Sequence, residues 1–440
     1  MRKGGEPMEE PKRITLVRKL RLVVATEDKD EVDRVYRFLR DARYAQNKAY
    51  NILLSRIYCA YVNNEGQDAI KEIWKRGERT PKKDDPDWSL YNGDEIRFAT
   101  GTSTASSVGE AAKKAFAQQK RNGLLSGKVA LANKKLTAPL LIKNQLFSFY
   151  HEYESLEEAC KRIISDAETR VYMKFVNNCV FKVLFGRIDR SMTLRKEMCR
   201  VLDDTYKIQG SSIDITEEGK IILNLSVGIP VSDSMRDESK VVGVDLGMAV
   251  PAVCALNDGQ ERCYIGSIDE LLRVRTQIQS EIRKLQKSLA STAGGHGRKK
   301  KLKHLEALKE REANFVRTYN HMVSRRTVDF ALKNNAGVIQ LEDLSGFSGD
   351  RSEYVLRNWS YYQLQSDISY KASIHGIKVR KVDPAYTSQT CSLCGHYEPG
   401  QRISQKAFVC KNPECSGFGK EVNADYNAAR NIAKSGKIVL

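Results

Sequence analysis

The 440-residue chain is 41% hydrophobic, enough to bury a sizeable core, and its length alone predicts about three domains. Lys and Arg number 73 against 55 Asp and Glu, a formal charge of +18, and such an excess favours a polyanionic partner, nucleic acid first. No run approaches the roughly 18 apolar residues of a membrane-spanning helix, and the basic N-terminus lacks the apolar stretch of a signal peptide, so a soluble intracellular protein is expected.

In chain order, a polar tail to about Arg13 gives way to "ITLVRKLRLVVAT", whose alternation of apolar and basic residues predicts a strand. Val32, Val35, Tyr36 and Leu39 then mark an amphipathic helix running to about Tyr61. "SVGE", Ser107 to Glu110, has the capping-box pattern and predicts a helix start there, with Lys113, Lys114, Lys120 and Arg121 on its exposed face. From about Lys128 to Pro230 the texture is β-rich, and "IDITEEGKIILNLSV" predicts a hairpin about Glu218 and Gly219. No catalytic constellation precedes Val241. Each basic stretch here reads by itself as a solvated face, and only the summed excess points to nucleic acid.

At Val241 the character changes. "KVVGVDLGMAVPAVCAL" followed by "RCYIGS" predicts a three-strand meander that exposes one carboxylate, Asp245, on its first strand. Leu271, Val274, Ile278, Ile282, Leu285 and Leu289 recur at helical spacing, and Leu302, Leu305 and Leu308 begin a second stripe, so a helical hairpin is expected. Its turn, "GGHGRKKK", sets glycines beside Arg298, Lys299, Lys300 and Lys301 and reads as a flexible basic tip, with His296 an exposed loop residue. It has neither the residue order nor the preceding strand of a P-loop. "AGVIQLEDLSGF" repeats the earlier design, an apolar run from Val338 to Leu341 that ends in Glu342. "VNADYNAARNIA" is a short helix of small residues with Asp425 in its first turn.

Each acid alone has a bland reading as a turn residue. Together they have a chemical one. Phosphodiester cleavage by two divalent ions about 3.5–4 Å apart needs several carboxylates at one place, to hold the attacking water and the departing oxygen. Asp245, Glu342 and Asp425 are the candidate set. Hard oxygen ligands suit two Mg²⁺, or Mn²⁺, and the lack of nearby histidines argues against catalytic zinc.

Ten cysteines divide into scattered ones, Cys59, Cys160, Cys179, Cys199, Cys254 and Cys263, and a cluster of Cys391, Cys394, Cys410 and Cys415. The scattered group reads as reduced core thiols. The spacing C-x2-C and C-x4-C, with Gly395, Gly417 and Gly419 allowing tight backbone, reads as two knuckles around one structural Zn²⁺. Arg402, Lys406 and Lys411 lie between or beside the knuckles and are candidate phosphate contacts, or equally exposed solubilising charge.

The ordered set "VGVDLG", "IQLEDL", paired cysteines and "NADYNAARN" resembles the split RuvC-like nuclease domain, of RNase H type, of the small RNA-guided DNA nucleases: the type V CRISPR effectors and transposon-encoded TnpB proteins. Within these, "GGHGRKKKLKHLEALKEREANFVRTYNHMVSRRTVDFALK", "RNWSYYQLQSDISYKA" and "DPAYTSQTCSLCG" are most similar to the miniature type V-F effectors. The resemblance covers about Val241 to Ala433.

It implies an α/β multidomain protein: a β-barrel-like wedge domain in two parts, 1–28 and 127–235, a helical recognition domain inserted at 29–126, a RuvC-like domain at 236–385 and 421–440, and a zinc ribbon at 386–420. The metal-binding acids of the family fall on Asp245, Glu342 and Asp425. The ribbon is implied to load single-stranded DNA into the site; apart from the resemblance, Arg298, Lys299 and Lys300 of the basic hairpin tip and Arg402 and Lys406 of the ribbon are candidate nucleic-acid contacts by their charge.

The implied activity is Mg²⁺-dependent, RNA-guided cleavage of double-stranded DNA bearing a short flanking motif, in a prokaryotic cytoplasm. Base pairing with the guide RNA would read sequence. A TnpB-like nuclease is the nearest alternative, and a non-catalytic zinc-ribbon binder, which would have no use for gathered carboxylates, the more distant one. Compact scaling gives the chain a radius of gyration of about 22 Å. That is small for enclosing a heteroduplex of ~20 base pairs, and the type V-F resemblance implies a homodimer on one guide RNA. Phe38 and Leu54 are apolar positions that such an interface would use if they are not core.

Overall fold

The computed structural model describes residues 13–63, 102–231, 236–247, 249–343, 361–436 and 438–439. They fall into two compact units, Arg13–Pro230 and the part of the chain from Val231 on.

The first unit is built on strand β1 (Arg13–Val24), in which Leu16, Leu20, Leu22 and Val24 are buried while Val17 and Val23 are exposed. This is the period of two that the sequence predicts. Strands β2 (Leu140–Ile142), β3 (Phe147–His151), β4 (Val171–Phe175), β5 (Cys179–Leu184), β6 (Lys207–Ile208), β7 (Ser211–Ile215) and β8 (Ile221–Pro230) complete one sheet. Its order is β2-β7-β8-β1-β5-β4-β3, with β6 on β8, and every pairing is antiparallel. Among the described residues β2 and β3 are the unjoined edges of this sheet. The β7–β8 hairpin turns at Glu218 and Gly219, where Gly219 takes φ 78°.

Helices α1 (Lys29–Val62) and α2 (Thr102–Arg121) stand between β1 and β2 in the chain. Leu53, Leu54 and Ile57 of α1 pack with Val108, Ala112 and Phe116 of α2. That packing carries α2 back to Thr102, so Ser107 is inside the helix and not its cap. A side-chain N-cap does occur in this unit, at Ser155, whose hydroxyl accepts from the Glu158 amide to open α3 (Leu156–Ser165). Together with α4 (Ile188–Leu202) it interrupts the stretch expected to be β-rich. Arg195 of α4, fully buried, donates to the carbonyls of Ile163, Asp166 and Gly186 and so bolts the two helices together. Leu54 is wholly buried and the Phe38 ring lies 6.2 Å from that of Phe175. Leu54 is therefore a core residue, whereas Phe38 is half-buried beside Phe175.

In the second unit the meander is β9 (Asp237–Asp245), β10 (Ala252–Leu256) and β11 (Arg262–Ile265). Helices α5 (Ile268–Ala290) and α6 (His296–Lys333) form the hairpin, then come β12 (Ala336–Glu342), α7 (Tyr361–Ile374) and β13 (Lys378–Val382). The ribbon strands β14 (Ala407–Val409) and β15 (Glu421–Asn423) precede α8 (Ala424–Lys434) and the short β16 (Ile438–Val439). The main sheet runs β11-β10-β9-β12-β13-β16, with β12 parallel to both neighbours and the other pairs antiparallel.

One face of this sheet is covered by α6 and α7, through Val242, Val244, Leu341, Val323, Leu364 and Ile368. The other face is covered by α8. In the α5–α6 hairpin Ile278, Ile282, Leu289, Leu305 and Leu308 are buried, but Leu302 is 41% exposed and lies outside the stripe. His296 begins α6, so the basic tip is helical and not a free loop. Of the scattered cysteines, Cys179, Cys199 and Cys254 are buried as core thiols, whereas Cys59 is exposed.

Candidate active site

A strand turns successive side chains to opposite faces. Since Val242 and Val244 point into the α6–α7 core, Val241, Gly243 and Asp245 belong to the opposite face, and β12 does the same with Val338, Gln340 and Glu342. Helix α8 lies on that face. Val241 and Val338 meet Ala433, and Val253 and Ala255 of β10 meet Tyr426 and Ala429. The approach is close: a Cβ built on Gly243 would stand 2.0 Å from the Ala429 carbonyl oxygen and 2.3 Å from the Ala433 nitrogen. Gly243 and the small residues of α8 together let the helix settle on the sheet and bring its first turn to the strand ends.

The parallel register pairs Leu341 with Val244, so Glu342 and Asp245 end adjacent strands one step further on. Asn423 caps α8, its Oδ1 accepting from the Tyr426 amide, and fixes Asp425 in the first turn. The three acids thus come from β9, β12 and α8 to one edge of one sheet.

Their electrostatics agree. Burial pushes the Asp245 carboxyl up to about 8, and repulsion from Glu342 and Asp425 adds to it. Burial also raises Glu342 and Asp425 above the usual carboxylate range. Three acids that resist ionising together are a site short of positive charge.

Arg402 supplies part of it. Its Nη2 lies 3.6 Å from Asp425 Oδ1, and its charge lowers all three acids against the larger effect of burial. Lys406 does the same for Asp425 alone. Sequence reading had placed Arg402 only on the ribbon; the ribbon folds back so that it faces the acids, and no local motif carries that information. Two other groups were also missed. Thr387 donates its hydroxyl to Glu342, and Tyr361 lies close enough for Asp245 to help burial push its hydroxyl up to about 12.

The residues fit divalent ions. The acid set consists of hard oxygens whose charge burial and mutual repulsion leave uncompensated. Several carboxylates at one sheet edge suit two ions spaced about 3.5–4 Å apart.

The cysteine cluster is tight. All four Sγ atoms lie within 4.8 Å of each other, with Cys391 to Cys415 at 3.8 Å and Cys394 to Cys410 at 3.7 Å. Four thiolates about 2.3 Å from one tetrahedral zinc would sit about 3.8 Å apart. Gly395 and Gly419, at φ 73° and 67°, make the turns of the two knuckles. The Gly417 amide donates to Cys415 Sγ at 3.4 Å.

Of the other candidate contacts, Lys299 and Lys300 are exposed on the first turns of α6. Arg298 instead donates to the carbonyls of Leu289 and Thr292, closing the hairpin. Lys411 pairs with Glu398 and donates to the Pro399 carbonyl.

This is a carboxylate-bearing α/β domain with a four-cysteine ribbon inserted before its last helix. Residues 361–432 match the family model described as Cas12f1-like, TNB domain. The chain is 31% identical over 356 residues to a CRISPR-associated endodeoxyribonuclease Cas12f1 from Syntrophomonas palmitatica, covering 71% of this chain and 69% of that protein. It is 41% identical over 240 residues to the Cas12f1 of Sulfoacidibacillus thermotolerans, covering 54% of this chain and 55% of that one. The chain belongs to the Cas12f1 family of CRISPR-associated endodeoxyribonucleases. A solved Cas12f1 bound to single-guide RNA and target DNA has the same fold, with a TM-score of 0.65 over 97% of this chain and all of that one, at 20% identity.

Proposed function

We propose that this chain is an RNA-guided DNA endonuclease with a single two-metal site, which cuts target DNA after guide pairing and recognition of a short flanking motif. The observation that carries the reading is the convergence of Asp245, Glu342 and Asp425 on one sheet edge with a shortage of positive charge. Two Mg²⁺, or Mn²⁺, would be held by these acids, and when bound would polarise the scissile phosphate and activate water. Around them the chain's own groups do the positioning. Thr387 orients Glu342 through its hydroxyl, Asn423 sets the start of α8, and Arg402 stands beside Asp425 to meet a phosphate.

The four cysteines would hold one structural zinc, which shapes the ribbon that ends in the Asp425 helix. The first unit, with its sheet and the helices inserted after β1, supplies the wedge and recognition functions, and the particle is a prokaryotic, cytoplasmic homodimer on one guide RNA. No helix among the described residues is long and apolar enough to cross a membrane.

Separating binding from chemistry tests this. Asp245→Ala, Glu342→Ala and Asp425→Ala should each lower cleavage by orders of magnitude while guide and target binding persist, because each removes a metal ligand from the rim of the site. Mobility shifts run beside cleavage assays measure both. Near-normal cutting by one variant would remove that acid from the site.

A further inference from the structure

We infer that Tyr386 and Tyr397 form a stacking site for an unpaired nucleobase of the DNA strand that the acids cut. The inference rests on the nuclease reading above and adds to it a binding site outside the carboxylates.

The two rings lie 4.8 Å apart, edge to face, and are 59% and 45% exposed. Tyr386 also has φ 65°, a left-handed backbone that a bulky side chain rarely adopts and that costs strain. Burial does not repay that strain, since the ring is turned to solvent. What holds it is the turn around it. The Tyr386 carbonyl accepts from the amides of Gln389 and Thr390 and from the Thr390 hydroxyl.

That turn is bolted to the catalytic elements. Thr387, the next residue, faces inward and donates to Glu342. Asn431 of α8, the helix that carries Asp425, donates to the carbonyls of Thr387 and Thr390 at 2.8 and 2.6 Å. Asn427, also of α8, donates to the Thr390 carbonyl at 2.7 Å. Tyr397 is anchored from the ribbon side: it bridges to Thr390, and the carbonyl of its neighbour His396 accepts from the Cys391 amide. Gln401, 1% exposed, spans the gap by donating to both the Gln389 and the His396 carbonyls, and the residue after it is Arg402.

A strained, exposed aromatic pair is therefore fixed rigidly to the elements that carry two of the three acids. The pair offers exposed π-faces and edges. On the same ribbon Arg402 and Lys406 bring positive charge to Asp425 that suits a phosphate backbone. Flat aromatic rings flanked by cations take up single-stranded nucleic acid in a sequence-tolerant way, one base per platform. A strand held there would be seated one residue from the contact that orients Glu342.

The test places 2-aminopurine, whose fluorescence falls on stacking, at successive positions of the displaced strand of a target duplex. The guide-loaded protein is added with Ca²⁺ in place of Mg²⁺, so that no cutting is required. Quenching is expected at one or two adjacent positions, lost in Tyr386→Gly and Tyr397→Ala and retained in Tyr386→Phe. Affinity for the strand should fall roughly five- to a hundred-fold in the first two. Tyr386→Gly also separates function from architecture: it relieves the backbone strain, so its melting temperature should hold or rise while the base contact is lost.

Unchanged quenching in both variants overturns the inference, as does a melting temperature that falls in step with affinity, which would mark the pair as structural. Saturating protection of the two rings by a protein partner, with no quenching at any position, would likewise overturn it. Cleavage with Mg²⁺ is scored separately. If the unaltered protein cuts nothing, the nuclease reading fails, and the fluorescence still decides the stacking site.

Discussion

Asp245 concentrates the cost of the site in one side chain. Its carboxyl titrates near 8 because burial, and then Glu342 and Asp425, oppose its charge, whereas an unfolded chain would release that proton near 4. Between those values the folded state holds the extra proton, so stability without divalent metal at the acids falls as pH rises from about 4 to about 8. Asp245→Asn should therefore raise the melting temperature at pH 8 in Mg²⁺-free buffer with zinc retained, and flatten its pH dependence, while cleavage is lost. Thermal melts of both proteins at pH 6 and pH 8 would check the sign. A metal ion must displace that proton, so apparent Mg²⁺ affinity should climb with pH up to about 8 and level off above it. Gly243 makes the complementary case for geometry. Gly243→Ala adds a methyl where the α8 backbone already sits, and should cost about 1–3 kcal/mol in a denaturant melt, with cleavage falling further because the helix carries Asp425.

Helix α8 and the ribbon behave as one device, because the chain passes from Cys415 through β15 directly into the Asp425 turn, and Cys391, Phe408, Cys410, Cys415 and Ala424 share one small core. Cys391→Ser or Cys410→Ser should therefore release the metal and abolish cleavage together, through displacement of α8 and not through loss of a catalytic group. Elemental analysis should find about one zinc per chain in the unaltered protein, and a value well below that would sink the closed four-thiolate site. These elements were legible in the sequence because their signals are local: alternation around Asp245 and Glu342, cysteine spacing, small residues after Asp425. The misreadings have the same origin. "SVGE" and "SLEE" are both capping boxes on paper, and only packing of Val108, Ala112 and Phe116 against α1 decides that the first lies inside a helix, while the second opens α3. Leu302 keeps the spacing of its stripe but is exposed, while its neighbour Lys301 is the one that reaches Ser288 of α5. Arg402 carries no motif, and Thr387 and Tyr361, although inside quoted stretches of resemblance, have no local pattern that ties them to the acids; they reach the acids by the return of the ribbon and of α7, a long-range placement that periodicity cannot express.

The formal charge of +18 bears on assembly more than on fold. Phosphate contacts release counterions, so guide binding that uses six to ten of them should weaken by about 10³- to 10⁵-fold between 50 and 200 mM salt, and filter binding across that range measures the slope. The dimer is a separate matter. With Leu54 wholly buried and Ala49, Leu53 and Ile57 beside it in the same core, the apolar face of this part of α1 is packed within its own unit. Substitutions in that face should therefore unfold the first unit without selectively splitting a dimer. Leu54→Ala, which removes a wholly buried side chain, should cost about 2–5 kcal/mol and lower guide binding in proportion to the unfolded fraction. Light scattering on the purified ribonucleoprotein then reads the assembly directly. Two chains per guide RNA are expected, at protein concentrations where the particle is intact and at low salt, where electrostatic contacts are strongest. One chain per RNA would remove the dimer and favour a TnpB-like particle, in which RNA does the enclosing that a second copy of the protein would otherwise do.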